Sequence, residues 1–261
     1  MRFTKYQGLG NDFVVVDAAS PDAVSAEQAR AICDRHFGVG GDGVLLVSPS
    51  AEGAARMTVL NADGSRPEMC GNGLRCVALH LAQRAGQSFA VQTDAGVLAC
   101  QMQMRGGESW VRISLGRGKP EGELVAERNG RALTFQRVSM GNPHAVLFDS
   151  DFDVPSIDVF APTVSARLPG GANIEFVRQT APTALSVIVW ERGVGRTLAC
   201  GTGAGAVGVA AARAGRAPFD QALSVELPGG VLEITVRQSD LHVELCGPAR
   251  RVFEGELELG S

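Results

Sequence analysis

The 261-residue chain lacks several features that would each indicate a particular class of protein. No apolar run reaches the roughly 18 residues that a membrane-spanning helix needs. Lys and Arg number 24 against 28 Asp and Glu, a net charge of −4 without a basic stripe, which argues against nucleic-acid binding. None of the six cysteines forms a C-x-x-C pair, which argues against structural zinc. The first residues lack the apolar segment of a signal peptide, so we expect a cytoplasmic protein with reduced thiols.

What the chain does contain is typical of a strand-rich globular protein. Apolar residues make up 45%, enough to fill a large core, and the length suits one or two domains. The 33 glycines occur in short clusters that indicate turns between short apolar runs. These runs predict strands at residues 13–16, 44–47, 57–60, 97–102, 111–115, 145–148, 174–177, 185–190, 231–236 and 241–246. Apolar periodicity and terminal glycines predict helices at residues 26–36, 73–86 and 203–215.

The two halves of the chain resemble each other in the same order and with similar spacing. The matched segments are 10–17 with 141–149, 40–47 with 170–177, 70–73 with 200–203, 95–98 with 229–232, and 113–116 with 244–247. This internal duplication predicts an α/β (α+β) fold of two pseudo-symmetric domains, at 1–116 and 117–250. We expect the tail, 251–261, to pack on the first half, and an active site in the cleft between the halves.

Each half carries a Cys-Gly-x-Gly segment, with Cys70 or Cys200 at the start of an apolar helix. A helix N-terminus favours a thiolate and binds anions such as a carboxylate. Two such helix starts facing each other would place one thiol on each side of a substrate carbon. One thiolate could then remove a proton while the opposite thiol supplies another. The pattern therefore predicts an amino-acid racemase or epimerase.

Other interpretations of the cysteines remain open at this point. A cysteine before a buried helix can simply be a small core residue, and this is our interpretation of Cys33, Cys76, Cys100 and Cys246. Cys70 and Cys200 could instead form a thiol/disulfide redox switch.

The sequence resembles diaminopimelate epimerase over essentially the whole chain, including the residues around these cysteines. The matching segments are 8–13, 61–65, 70–76, 139–144, 172–176 and 191–203. The resemblance implies an isomerase that interconverts LL- and meso-diaminopimelate, on the route to lysine and peptidoglycan precursors. It implies two domains, each a strand-rich, barrel-like sheet around a central helix. It also implies a cytoplasmic homodimer with a small-molecule amino-acid substrate, no cofactor and no metal, and no nucleic-acid or membrane partner.

Residue roles follow from this resemblance. Cys70 and Cys200 would be the catalytic acid/base pair. The reacting carboxylate would be held by the two helix starts, at Gly71, Asn72, Gly201 and Thr202. The remaining amino and carboxylate groups would be bound by Asn11, Asn61, Asn142, Asn173 and Arg192. His144 and Glu191 would tune the thiol pKa, and Glu191 would also help to hold the substrate ammonium.

Some of these assignments have alternatives, and the chain departs from the family pattern at two positions. From the residues alone, Asn11 and Asn142 could be turn residues and His144 a structural histidine. Gly43 stands where some members have Gln, and Arg196 stands where Glu is frequent. We expect Arg196 to lie in solvent. A racemase of another amino acid, such as proline or histidine, is the alternative on the same fold.

Overall fold

The structure is a computed structural model that describes residues 1–258. The strands are β1 (Arg2–Gly8), β2 (Asn11–Asp17), β3 (Gly43–Ser48), β4 (Ala55–Asn61), β5 (Ser88–Thr93), β6 (Gly96–Arg105), β7 (Glu108–Arg117), β8 (Lys119–Arg128), β9 (Arg131–Ser139), β10 (Pro143–Leu147), β11 (Asn173–Ala181), β12 (Ala184–Glu191), β13 (Gly195–Arg196), β14 (Ala222–Leu227), β15 (Gly230–Val236), β16 (His242–Pro248) and β17 (Arg250–Glu256). The helices are α1 (Ala26–Cys33), α2 (Gly71–Ala85), α3 (Val154–Ser165) and α4 (Gly201–Arg213).

The chain divides into two compact units, Met1–Ser114 with Cys246–Ser261, and Leu115–Leu245. These boundaries fall inside β7 and β16, a few residues from those expected at 116 and 250. The tail strand β17 pairs antiparallel with β1, from Arg2 opposite Glu256 to Gln7 opposite Arg250. Residues 259–261, which we also assigned to this tail, lie outside the described residues.

In the first unit, neighbouring strands pair in the order β17, β1, β2, β3, β4, β5, β6. The pairs β2–β3 and β4–β5 are parallel, and the others are antiparallel. The chain between β2 and β3 forms α1, and the chain between β4 and β5 forms α2, because parallel neighbours require a crossover connection. Helix α2 buries its first eight residues and Leu81.

The second unit repeats this arrangement strand for strand. The order is β8, β9, β10, β11, β12, β14, β15, again with parallel pairs at β10–β11 and β12–β14 and antiparallel pairs elsewhere. Helices α3 and α4 occupy the same two crossovers. The matching topology confirms the predicted duplication and the α+β class.

The structure differs from the sequence prediction at the first helix, at helix α3 and in six strands that were not predicted: β1, β5, β8, β9, β13 and β14. The first predicted helix ends at Cys33 instead of residue 36, because the Asp34 side chain accepts the N–H groups of His36 and Phe37 in a turn. Helix α3, which follows the N-cap residue Asp153, was not predicted because proline is unfavourable inside a helix. The β8–β9 hairpin was also missed, although its turn residues Asn129 and Gly130 have the positive φ angles, 52° and 76°, that an Asn-Gly hairpin turn requires.

Candidate active site

Cys70 is the N-cap residue of α2. Its backbone is extended, and its Sγ accepts a hydrogen bond from the Gly73 N–H at 3.4 Å. The helix start packs closely on β3, since a Cβ at Gly73 would lie 3.0 Å from Leu45 Cδ2. The N–H groups of Gly71 and Asn72 belong to the first turn, where helical N–H groups have no partner within the helix.

Two of the predicted asparagines meet beside this helix start. Asn72 Nδ2 donates to Asn11 Oδ1 at 3.1 Å, and Asn11 Nδ2 donates to Asp42 Oδ2 at 2.5 Å. Asp42 also accepts the Asp12 N–H at 3.0 Å. The carboxylate therefore fixes the Asn11 amide, a role that the sequence analysis did not assign to Asp42.

A neutral group of four charges supports the loop that carries Asp42. Lys5 Nζ lies 2.6 Å from Asp12, and Arg35 bridges Asp12 at 2.7 Å and Asp42 at 2.8 Å. Burial raises the pKa of Asp12, but hydrogen bonds from Arg35 and Lys5 outweigh it and leave this pKa below its ordinary value. Two cations and two carboxylates thus compensate one another.

Asn61 lies at the end of β4, opposite Gly43 of β3. Its side chain donates to Ser65 Oγ at 2.9 Å. A Cβ at Gly43 would lie 2.8 Å from the Leu60 carbonyl oxygen, so this backbone does not accept the Gln that some family members have at this position.

Cys200 is the N-cap residue of α4, in the position equivalent to Cys70. Its Sγ accepts the Gly203 N–H at 3.3 Å and lies 3.5 Å from Thr202 Oγ1. The side chain of Asn142 donates to the same Thr202 oxygen at 3.3 Å. The hydroxyl hydrogen of Thr202 is therefore available to the sulfur.

The predicted histidine extends this chain of contacts. His144 Nε2 lies 3.0 Å from Asn142 Oδ1, and His144 Nδ1 lies 2.7 Å from Glu175 Oε1. Both side chains of the His144–Glu175 pair are shielded from solvent. Burial raises the pKa of the Glu175 carboxyl, an effect that His144 opposes.

The remaining predicted residues of the second half lie around β11 and β12. Asn173 Oδ1 accepts the Arg192 N–H at 2.9 Å, and Arg192 Nη1 donates to the Gly170 carbonyl at 2.7 Å. Glu191 Oε1 accepts from Thr197 Oγ1 at 2.5 Å. Arg196 is exposed and paired with Asp158 at 2.6 Å, as expected for a residue in solvent.

The pKa of Cys200 contradicts the expectation that both helix starts favour a thiolate. Burial leaves this side chain 6% exposed and raises its pKa well above the ordinary value. The carboxylates of Glu191 and Glu175 raise it further, while hydrogen bonds from Thr202 and Gly203 lower it only in part. Desolvation therefore outweighs the helix terminus at this residue, and the prediction of a lowered pKa is wrong for Cys200.

Three cysteines that we interpreted as core residues are buried thiols. Desolvation raises the pKa of Cys33 to about 11 and the pKa values of Cys76 and Cys100 to about 12. Such thiols stay protonated and unreactive near neutral pH. Cys246 is also buried and accepts a hydrogen bond from Gln103 Nε2 at 3.0 Å.

Sequence reasoning overlooked Glu175, although a signal was present. Glu175 is the only charged residue in the apolar run Ile174–Val177, and its repeat partner Leu45 is apolar. A charge inside a buried strand indicates a specific partner, which here is His144. Comparing charges between the repeats would have identified it.

The described residues, 1–258, contain neither a candidate metal-ligand cluster nor a membrane-spanning helix. No group of three or more His, Cys, Asp or Glu side chains in this range could hold a metal ion. No helix in the same range is both long and apolar enough to cross a membrane.

Comparisons with known proteins identify relatives over nearly the whole chain. The family model described as diaminopimelate epimerase matches residues 3–121 and 137–252. The chain is 42% identical over 277 residues to diaminopimelate epimerase of Desulforudis audaxviator, covering 98% of this chain and 99% of the relative. It is likewise 42% identical over 277 residues to diaminopimelate epimerase of Microcystis aeruginosa, covering 97% of each.

Solved structures show the likeness in fold alone. A Bacillus anthracis phenazine biosynthesis protein of the PhzF family matches with a TM-score of 0.77 at 18% identity, over 99% of both chains. A probable proline racemase from Agrobacterium radiobacter matches with a TM-score of 0.74 at 14% identity, over 99% of this chain and 93% of the other. Because the family model and the close relatives span nearly the whole sequence, the chain belongs to the diaminopimelate epimerase family.

Proposed function

We propose that this isomerase epimerises diaminopimelate by proton transfer between substrate and two cysteines, Cys70 and Cys200. The observation that carries the proposal is that both cysteines cap equivalent helices of the two repeats, each bonded to the third helical N–H. Equivalent thiols suit a reaction that inverts one carbon, because the proton leaves one face and another arrives at the opposite face.

In the proposed reaction, one cysteine thiolate takes the proton from the α carbon and becomes a thiol. The other cysteine gives its proton to the opposite face and becomes a thiolate. After the first proton transfer and before the second, negative charge builds on the substrate carboxylate. The N–H groups of Gly71, Asn72, Gly201 and Thr202 stabilise that charge, since helix N-termini bind anions.

The polar residues around the two helix starts would recognise the rest of the substrate. Asn11 and Asn142 are held in fixed orientations by Asp42 and His144, and we assign them to substrate polar groups. Asn61, Asn173, Glu191 and Arg192 complete the proposed binding set. Arg192 suits a carboxylate because its planar fork can bind both oxygens.

Further proposals concern the cellular setting of the reaction and the assembly of the enzyme. We propose a cytoplasmic enzyme because both thiols must stay reduced to exchange protons. As the family resemblance implies, the reaction would serve the synthesis of lysine and peptidoglycan precursors. We also propose a homodimer, which sedimentation equilibrium would test.

The test of the function is proton NMR of LL-diaminopimelate in D₂O with the reduced protein. We expect the α-proton signal to disappear as the meso isomer forms. Cys70→Ala and Cys200→Ala should each lower kcat by at least about a hundredfold, because a positioned acid or base contributes about 10² to 10⁴. Full epimerisation activity in either variant would contradict the two-cysteine mechanism.

A parallel panel of proline and histidine tests the substrate. The relatives at 42% identity are named diaminopimelate epimerases, whereas the probable proline racemase is similar in fold only, at 14% identity. We therefore expect turnover of diaminopimelate to exceed that of either alternative. Faster turnover of proline would overturn the substrate assignment.

A further inference from the structure

The two catalytic cysteines occupy equivalent positions, but their surroundings carry opposite charge. Behind the Cys70 helix start, the residue against Gly73 is the apolar Leu45, 3.0 Å from a Cβ built at that glycine. Behind the Cys200 helix start, the equivalent residue is Glu175, whose Oε1 lies 2.9 Å from a Cβ built at Gly203. The duplication has thus placed a carboxyl group behind only one of the two cysteines.

The two halves also differ five residues after each cysteine, where a positively charged residue is present in the first helix only. Arg75 follows Cys70 by the same interval that separates Gly205 from Cys200. The Arg75 side chain is fully buried, whereas the atoms nearest to a Cβ at Gly205 would be the apolar Leu115 Cδ1, Met140 Cε and Val243 Cγ1, at 3.1, 3.3 and 3.4 Å. The first half therefore contains a buried cation that the second half lacks.

Arg75 has no carboxylate partner among residues 1–258. Its Nη1 and Nε donate to the carbonyls of Gly71 and Pro248, at 3.4 and 3.3 Å, and its Nη2 is buried without a hydrogen-bond partner. The ionisable groups that act on it are the thiols of Cys76, Cys70 and Cys246. A buried guanidinium without an anion is costly, so a thiolate beside it is stabilised. Cys76 does not meet this need, because burial raises its pKa to about 12.

Other charges near the Cys70 helix cancel. Strands β1 and β2 contribute Lys5 and Asp12, and the loop residues Arg35 and Asp42 complete that neutral group of ion pairs. At the far end of α2, Arg84 and His80 bond to Asp17 of β2, and His80 also contacts Tyr6 of β1. Among the described residues on this side, Arg75 is thus a fully buried cation without an ion-pair partner.

The surroundings of Cys200 have the opposite sign. Strand β11 contributes Glu175, β12 contributes Glu191, and β10 contributes His144. The imidazole carries at most one positive charge against two carboxyl groups. Both carboxylates raise the pKa of Cys200 and so oppose its ionisation.

We propose that Arg75 and Glu175 are positioning residues that make the two cysteines inequivalent, so that the substrate-free enzyme holds a thiolate at Cys70 and a thiol at Cys200. The inference rests on the proposed catalytic roles of these cysteines. In the first turnover, the substrate Cα–H bond breaks and an S–H bond forms at Cys70. The Cys200 S–H bond then breaks and a new Cα–H bond forms, which leaves the negative charge on Cys200. Returning that charge to Cys70 completes the cycle.

The test measures alkylation of each cysteine by iodoacetamide across a pH series, with peptide mass spectrometry to separate the sites. The pH midpoint is compared instead of the rate, because Cys200 is more buried than Cys70. In the wild type we expect the midpoint at Cys70 to lie below that at Cys200 by one pH unit or more, about the effect of a nearby opposite charge.

Charge variants identify the responsible residues. Arg75→Met should raise the Cys70 midpoint by about one unit or more, while Arg75→Lys, which keeps the charge, should restore it. Glu175→Gln keeps an oxygen for His144 but removes the charge, and should lower the Cys200 midpoint. Glu175→Leu, which installs the residue of the first half, should lower it as well. Thermal melts of each variant identify those that are folded.

The outcomes separate this inference from the proposed function. Equal midpoints in the wild type, or a Cys200 midpoint below that of Cys70, would overturn the inference even if the protein epimerises diaminopimelate. Unchanged midpoints in Arg75→Met and Glu175→Gln would show that these residues serve packing only. Failure of the proposed two-cysteine function would instead be detected as full epimerisation activity in Cys70→Ala or Cys200→Ala.

Discussion

At the scale of single residues, the Thr202 hydroxyl connects Cys200 to the polar residues behind it. Its oxygen accepts from Asn142 Nδ2 at 3.3 Å and lies 3.5 Å from Cys200 Sγ, so its hydrogen can point to the sulfur. Since burial and two carboxylates raise the pKa of this thiol, the hydroxyl and the Gly203 N–H are what lower the cost of ionising it.

We predict that Thr202→Val lowers kcat/KM by about tenfold or more, because a hydrogen bond to a charged group contributes about 1.5–3 kcal/mol. The same variant should move the alkylation midpoint of Cys200 to higher pH. Thr202→Ser retains the hydroxyl and is the matched control. An equal loss in Thr202→Ser and Thr202→Val would contradict the role of the hydroxyl.

At the scale of elements, α4 is built from glycine and alanine so that it can lie close to the strands of its own unit. Nearly all of its residues from Gly201 to Ala212 are buried. The closest approach is at Gly208, where a Cβ would lie 2.5 Å from Ile234 Cγ2 of β15. The absence of a side chain at Gly208 therefore allows the helix that carries Cys200 to pack closely against β15.

Gly208→Ala should destabilise the protein by about 1–3 kcal/mol through overpacking. Helix propensity alone predicts the opposite, a gain of about 1 kcal/mol. Urea unfolding measures the difference, and Ile234→Ala provides the second arm of a double-mutant cycle. The double variant should lose less than the sum of the single losses, and a more stable Gly208→Ala protein would rule out this packing.

At the scale of the whole molecule, buried thiols limit stability at alkaline pH. Cys33, Cys76 and Cys100 have folded-state pKa values raised to about 11, 12 and 12. An unfolded chain ionises its cysteines near pH 8.5, about the ordinary thiol value. Their stabilising contribution is therefore complete below about pH 8.5 and is lost as the pH rises toward 11 to 12, because the unfolded chain releases protons that the folded protein retains.

The free energy of unfolding should fall above about pH 8.5 by roughly 1.4 kcal/mol per pH unit for each such thiol. Urea titrations under reducing conditions measure this slope. Cys100→Ala should reduce the slope by the contribution of one thiol, since desolvation alone raises the pKa of Cys100. Val111→Ala, a truncation at a buried apolar site, should lower stability at every pH and leave the slope unchanged. An unchanged slope in Cys100→Ala would contradict the assignment.

Much of the fold could be predicted because its signals are local. Apolar alternation marked strands, and the Cys-Gly-x-Gly segments marked the starts of α2 and α4. The repeated motifs required the two units to share a topology. Helix α3 was missed because Pro162 in its interior lowers its helical propensity, which burial of Ile157, Phe160 and Val164 overrides.

The sequence by itself determined the duplication, the pair of helix-capping cysteines and the resemblance to an epimerase family, because each is written in residues close together along the chain. Only the tertiary structure decided how the two thiols differ. Glu175 reaches His144 across 31 residues of sequence, and Arg75 is 173 residues from Pro248, whose carbonyl it contacts. Burial and long-range contacts set the electrostatic field at a thiol, so a pKa follows from the folded surroundings and not from the helix start alone.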